Sequence, residues 1–368
     1  MLEQKQINGP VAHTPYHLID GASGFGTVIS RETQELSEIV RDTANPLIDR
    51  LEMYEDIINL EVGDTSLSRA RNIERETGLK QIFLKFEGGN PTGTQKDRIA
   101  FLQCLDALRR GYDTITIATC GNYGASTALA AKLAGLRCVI CIPENYHPKR
   151  LREVIDMGAE ILRTSGSYED SVGFSKQLAL DKEYYDGNPG GVNTHIQLTG
   201  YAEIANEIYD VLRDAPKVIA APVSNGTMLA GIHRGFSTLY KRGKTSRMPQ
   251  IVAASSYRKN PIVYSFQKGL DTCTELQPQK IRESQVNEPL INWHSFDGDE
   301  ALWAVRATNG WASDISDSKL MYYSKILREK EGLSVLPAST AGLIALLEYH
   351  KKNPLDSDRY VAVLTGRK

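Results

Sequence analysis

From Gln81 onward the chain alternates short apolar or β-branched runs with segments of helical periodicity, and no other feature restricts the fold as strongly. Strands joined through helices run parallel, so the class is α/β. Ile82–Phe86 reads as a strand, and residues 97–110 carry Ile99, Leu102, Leu105 and Leu108 at helical spacing before Gly111 stops them. Thr114–Ala118 is a β-branched strand, 122–133 an alanine-rich helix ending near Gly135, and 138–142 a strand closed by Pro143. After a less regular middle stretch come strand 217–223, helix 228–240, strand 250–254, helix 339–349 and strand Tyr360–Leu364. The first 60 residues are less regular, with a glycine-rich turn at 21–26 and a helix over Arg31–Arg41.

At 368 residues the chain exceeds the ~250–300 at which a single core stops growing, which predicts two lobes with a cleft between them. The formal net charge is −2 and the Lys and Arg residues are scattered, a pattern that points away from nucleic acid and anionic membrane and toward a small-molecule partner. The amino terminus lacks the apolar run of a signal peptide and no stretch approaches the ~18–20 apolar residues of a membrane span, so a cytoplasmic location is expected. Five cysteines without disulfide-like spacing fit a reducing compartment. Cys138 and Cys141 spell CxxC, but within a strand positions i and i+3 point to opposite faces, so both read as core thiols. His195 and His233 belong to no set with metal-ligand spacing, and no metal site is predicted.

Three loops stand at the carboxyl ends of expected strands, where an open α/β sheet binds ligands. The first runs from Glu87 to Arg98 and places Lys96 at a helix start, where the positive end of the helix dipole disfavours the protonated amine. The second, Thr119 to Ser126, offers a hydroxyl and several N–H groups to a carboxylate. Its G-x-x-G spacing is too short for a dinucleotide fingerprint, although Glu144 lies about where a ribose-binding acid would stand. The third, Ser224-Asn225-Gly226-Thr227, opens a helix and suits a phosphate.

The run Asn90-Pro91-Thr92-Gly93-Thr94-Gln95-Lys96-Asp97-Arg98 resembles the lysine motif of the fold-type-II pyridoxal phosphate (PLP) enzymes, and most of all the NPTGSFKDR of the threonine synthases. Thr119–Gly124 is similar to that family's SSGNTG loop, Pro222–Thr227 to its PVGNGG, Pro337-Ala338-Ser339 to its EPAS and Leu364-Thr365-Gly366 to its LTGHG. The resemblance implies a two-lobed, three-layer parallel-sheet fold: residues 1–90 with 191–368 form a large PLP-binding lobe that includes the amino-terminal extension, and 91–190 a small mobile substrate lobe. It also implies a homodimer. Lys96 would carry PLP as a Schiff base and move protons on the substrate. Asn122 would bond the cofactor's ring hydroxyl, Ser224, Asn225, Gly226, Thr227 and Met228 would surround its phosphate, and Thr365 would face the pyridine nitrogen. Thr94, Thr119, Cys120, Gly121 and Tyr123 would hold the amino-acid substrate, with Lys149, in a basic cluster with Arg150 and Arg152, receiving a substrate phosphate.

A neutral hydroxyl opposite the ring nitrogen makes a weaker electron sink than a carboxylate would, which favours elimination and replacement at the β or γ carbon over transamination. The implied activity is that of a carbon–oxygen lyase acting on a small phosphorylated or hydroxylated amino acid. Departures from the motifs, Thr94-Gln95 for Ser-Phe, Leu336 for Glu, Ser224 and Thr227 for glycines and Tyr123 for threonine, predict a specialised relative. A serine/threonine dehydratase, a cysteate synthase-like β-replacement enzyme, a catalytically inactive binding protein and a nucleotide-binding dehydrogenase are the alternatives.

Overall fold

The computed structural model describes Tyr16–Leu18 and residues 27–368 apart from Cys120, His147 and Pro148; the turn read at 21–26 lies outside these residues. Strands β1 (Tyr16–Leu18) and β2 (Val28–Ser30) precede helices α1 (Arg31–Arg41) and α2 (Leu47–Glu61). Next come β3 (Leu67–Arg69), α3 (Arg71–Thr77), β4 (Ile82–Phe86), α4 (Lys96–Arg109), β5 (Thr114–Ala118), α5 (Asn122–Ala134), β6 (Arg137–Pro143), α6 (Leu151–Asp156), β7 (Glu160–Thr164), α7 (Tyr168–Lys182) and β8 (Tyr185–Asp186). The chain returns through α8 (Thr194–Leu212), β9 (Val218–Pro222), α9 (Thr227–Lys241), β10 (Gln250–Ser256), α10 (Pro261–Gln267), α11 (Gly298–Ala307), β11 (Ala312–Ile315), α12 (Asp317–Glu331), α13 (Ala341–Lys352) and β12 (Tyr360–Leu364).

Two sheets result. The larger has the order β11-β10-β9-β12-β4-β3, parallel except for β3, and the smaller, all parallel, has the order β7-β6-β5-β8. Strands β5, β9 and β12 are buried at every residue, because helices cover both faces of a parallel sheet and leave no polar side to alternate with. One face of the large sheet packs Ile82, Leu84 and Val252 under Leu320, Leu327, Ile344 and Leu346 of α12 and α13. The other face meets α8 and α9, and its core runs on through Phe101 and Leu105 of α4 to Ile115 and Ile117 of the small sheet. Helices α4, α8 and α9 therefore fill the space between the sheets. α8 is held closely on both sides: a Cβ on Gly200 would lie 2.8 Å from the Arg98 carbonyl, and one on Gly231 would lie 2.5 Å from the Tyr201 Cβ.

The amino-terminal helices sit elsewhere than the sequence suggests. Ser30 caps α1 by accepting from the Thr33 amide, Ser37 donates to the Leu133 carbonyl, and Tyr54 donates to the Ala130 carbonyl while stacking on Phe101. The sequence groups this segment with the larger lobe; its contacts run to α4 and α5, on the side of the small sheet. The reason is local: Val40, Tyr54 and Ile57 form an apolar stripe that the alanine-rich surface of α5 accommodates. Cys104, Cys138, Cys141 and Cys273 carry free thiols, the first three of them buried.

Candidate active site

Lys96 opens α4 after a turn that is tied down at both ends. Asn90 accepts from the Gly63 amide and donates to the Glu87 carbonyl, Thr94 bridges Gly366, and the Gln95 amide donates to the Thr365 carbonyl at 3.0 Å. The lysine projects into a cavity of about 470 Å³, within the ~300–1,000 Å³ of small-molecule sites. Its Nζ lies 5.4 Å from the Tyr123 ring centroid and 5.9 Å from that of Tyr201. Burial lowers its pKa to about 8, against the opposing charge of Asp297, so a usable share of the amine is unprotonated near neutrality.

Two residues on, Arg98 is 3% exposed and donates to both oxygens of Glu87 and both of Glu207, at 2.6–3.0 Å. Lys85 adds a bond to Glu207. Between the two cations, Asp97 accepts from the Thr92 amide and hydroxyl, and burial raises its carboxyl to about 6 in spite of those bonds.

The Ser224–Thr227 loop stands at the opposite wall, at the start of α9. Asn260 and Ser295 donate to the Ser224 carbonyl, the Asp297 amide to the Asn225 carbonyl, and Asn292 to the Asn225 side chain. Thr227 donates its hydroxyl to the Asp297 carboxylate, so what it offers the cavity is its N–H. Gly226 has φ +99°, and a Cβ there would lie 2.5 Å from the Asp297 carbonyl. With the loop's carbonyls held from behind, the first-turn N–H groups of Thr227, Met228 and Leu229, which have no intrahelical partner, form an anion cradle beside the cavity.

The Thr119 loop supplies a third wall at the start of α5. The Thr119 hydroxyl accepts from the Gly121 amide; Cys120 lies outside the described residues. The Asn122 side-chain oxygen accepts from Arg150, which turns its NH₂ group to the remaining side. Arg150 is 4% exposed and also donates to both Glu153 oxygens and the Thr92 carbonyl. Thr365 is 3.0 Å from the Ser339 hydroxyl, which accepts from the Gly366 amide, so two motifs 26 residues apart meet beside Leu336 and Ala338 of the cavity wall.

Three expected substrate contacts are placed otherwise. The Tyr123 ring faces Lys96, but its hydroxyl accepts from Gln103 and donates to the Gly187 carbonyl in the core, so the residue narrows the cavity instead of gripping a carboxylate. Thr94 is buried in the turn, where its hydroxyl accepts from the Lys96 amide, and it lies off the cavity lining. Lys149 is exposed outside the lining, while Arg150 is tied to Glu153 and Arg152 to Asp156, so the basic cluster does not assemble. Sequence reasoning missed Asn260, Asn292, Ser295 and Asp297, which support the anion cradle, and Tyr146, Glu288 and Trp293, which line the cavity. All but Tyr146 come from the irregular stretch after β10, where the only clue was a density of Asn, Ser and Asp without periodicity.

A primary amine, an anion cradle, a carboxylate loop, an oriented amide and a hydroxyl near the terminus of β12 surround one cavity, and this set fits PLP. The sequence profile described as "Pyridoxal-phosphate dependent enzyme" matches residues 58–366. The threonine synthase of Methanocaldococcus jannaschii is 30% identical over 313 residues, spanning 84% of this chain and 76% of the relative, and that of Bacillus sp. strain ULM1 is 29% identical over 84% of each. In fold the chain is similar to maize serine racemase, with TM-score 0.72 and 21% identity over 87% of this chain and 93% of the other. The threonine deaminase of T.th. gives TM-score 0.69 and 18% identity over 88% and 98%. The chain belongs to the pyridoxal-phosphate dependent enzyme family, in the two-sheet α/β fold these structures share.

Proposed function

We propose that the protein is a threonine synthase-like PLP-dependent lyase that eliminates, or eliminates and replaces, a group on the β or γ carbon of a small hydroxylated or phosphorylated amino acid. The observation that carries this reading is the Lys96 amine, lowered in pKa and facing the cavity between the Thr227 cradle and the Thr119 loop. Lys96 would hold the cofactor through its amine, and that amine, once free, would take the α proton of the substrate and later return protons to the side chain. The bound cofactor supplies the electron sink for charge developing at the α carbon. Asn122 would orient the cofactor through its NH₂ group, the first-turn amides of α9 would hold its phosphate, and Thr119 and Gly121 would take the substrate carboxylate. Thr365 would offer the cofactor's ring nitrogen a hydroxyl and no carboxylate, which supports elimination over transamination.

The lobe built on the small sheet, residues 91–190, closes on the substrate in this reading, and the enzyme works as a homodimer in the cytoplasm. Among the described residues no helix is long and apolar enough to cross a membrane, and the free thiols accord with a reducing compartment. The test is the visible spectrum of the purified protein before and after borohydride, with peptide mapping. A yellow protein with the adduct fixed on Lys96 is expected. A protein that stays colourless with added PLP, or an adduct on another lysine, overturns the proposal.

A further inference from the structure

The relatives named threonine synthase raise the question of whether a phosphate ester suits this cavity. Among the described residues that line it, Lys96 is the one cation, and Glu169, Glu283 and Glu288 are acids. Lys96 has its own task. The carboxylates stand on the substrate side: Glu288 Oε1 lies 3.5 Å from where a Cβ on Gly121 would be, directly over the carboxylate loop, and Glu169 accepts from the Trp293 amide across the cavity. Lys149, exposed outside the lining, is the one lysine among the described residues whose charge acts on Glu288, so carboxylates outnumber cations around the space a side chain must enter. Burial, reinforced by the neighbouring charge of Glu283, pushes the Glu288 carboxyl up to about 7 in spite of its bond to Tyr146 and the charge of Lys149, and bringing a second anion beside it would raise that cost further. Arg150, the one buried arginine near the loop, spends its donors on Glu153, Thr92 and Asn122.

From the juxtaposition of Glu169, Glu283 and Glu288 with the Lys96 cavity we infer that the enzyme selects amino acids whose side chain bears no negative charge, a hydroxyl or an ammonium at the β or γ carbon, and rejects phosphate esters. This rests on the PLP reading above and narrows its substrate class. The physical basis is like-charge repulsion in a partly desolvated site, where discrimination is achieved by what is unfavourable to the wrong ligand.

The experiment uses the PLP-loaded enzyme and matched compounds: serine and O-phosphoserine, homoserine and O-phosphohomoserine, and 2,3-diaminopropionate. Dissociation constants come from the change in visible absorption on titration, and kcat/KM from product formation. The unphosphorylated or ammonium-bearing member of each set should bind and react at least about tenfold better than its phosphate ester. Glu288→Gln combined with Glu283→Gln should narrow that ratio severalfold, chiefly through the phosphate ester. A phosphate ester that binds or reacts best overturns the inference and leaves the PLP reading intact, as does a ratio the double variant does not move. A yellow enzyme whose spectrum no compound perturbs and that turns none over overturns the proposed function itself.

Discussion

Lys96 and Arg98 stand two residues apart on the first turn of α4, and their surroundings are opposite. Arg98 is enclosed by Glu87 and Glu207 with its donors matched to four carboxylate oxygens, and although burial alone would weaken its charge, the two acids hold its pKa above the ordinary value. Lys96 is desolvated without an ion pair among the described residues, and its pKa falls. Burial thus acts on both cations, and the presence or absence of a counter-ion decides whether the charge is held or the amine is readily deprotonated. Stability and reactivity are kept apart on one helical turn because side chains at positions i and i+2 face different ways.

The comparison can be broken most severely at Lys96. Lys96→Ala should lower kcat by at least about a thousandfold and abolish the borohydride-fixed adduct, while unfolding in urea stays close to the parent or improves, since a desolvated amine is removed. Arg98→Met should do the reverse to stability: two buried carboxylates lose their partner, at a cost of about 3–5 kcal/mol in urea unfolding at pH 7. Burial pushes Glu207 up, but Arg98 and Lys85 pull it further down, from 4.5 to about 2. A depressed carboxyl contributes stability above its unfolded pKa and loses it as pH falls, so the parent should lose this contribution between about pH 4.5 and 2, and the Arg98→Met variant, where only Lys85 still lowers Glu207, should lose clearly less. An equal acid response in both proteins would remove the counter-ion account of this network.

Smaller changes sharpen the contrast between the two walls of the cavity. Gly226→Ala places a methyl against the Asp297 carbonyl on a left-handed backbone, and PLP titration of the apoprotein should show affinity reduced by about tenfold or more. Tyr123→Phe removes a hydroxyl bonded to Gln103 and Gly187, and should cost about 1–2 kcal/mol of stability. Asp297→Asn removes a charge that raises the Lys96 pKa, so the pH midpoint for PLP capture by the apoprotein should move below 8, the value burial and Asp297 set together.

The parts of this molecule that were legible in the sequence are those whose neighbours are close along the chain or whose burial is complete. Tyr360–Leu364 is a continuous apolar run and Thr114–Ala118 a buried β-branched one because both faces are covered, and the helix begun by Lys96 starts within one residue of its expected place. Arg150 misled for the opposite reason: its partners Glu153, Thr92 and Asn122 are assembled by folding, so a solvated basic cluster and a buried strut look alike in one dimension. The supports of the anion cradle, Asn260, Asn292, Ser295 and Asp297, act from irregular backbone, where no period marks which residues turn inward. Lys96 and Thr227 each begin a helix after a strand and both line the cavity, and that position is one the sequence does mark.

The two glycines that seat α8 set a gauge. Lys96 and the Thr227 cradle belong to α4 and α9, and the span between them is fixed by the thickness of the helix in the middle. Gly200 on α8 and Gly231 on α9 leave out a methyl at each face of that helix, so the separation of the amine from the anion cradle depends on two absent side chains. A larger residue at either position would push α4 and α9 apart and lengthen that span, at a distance from both groups.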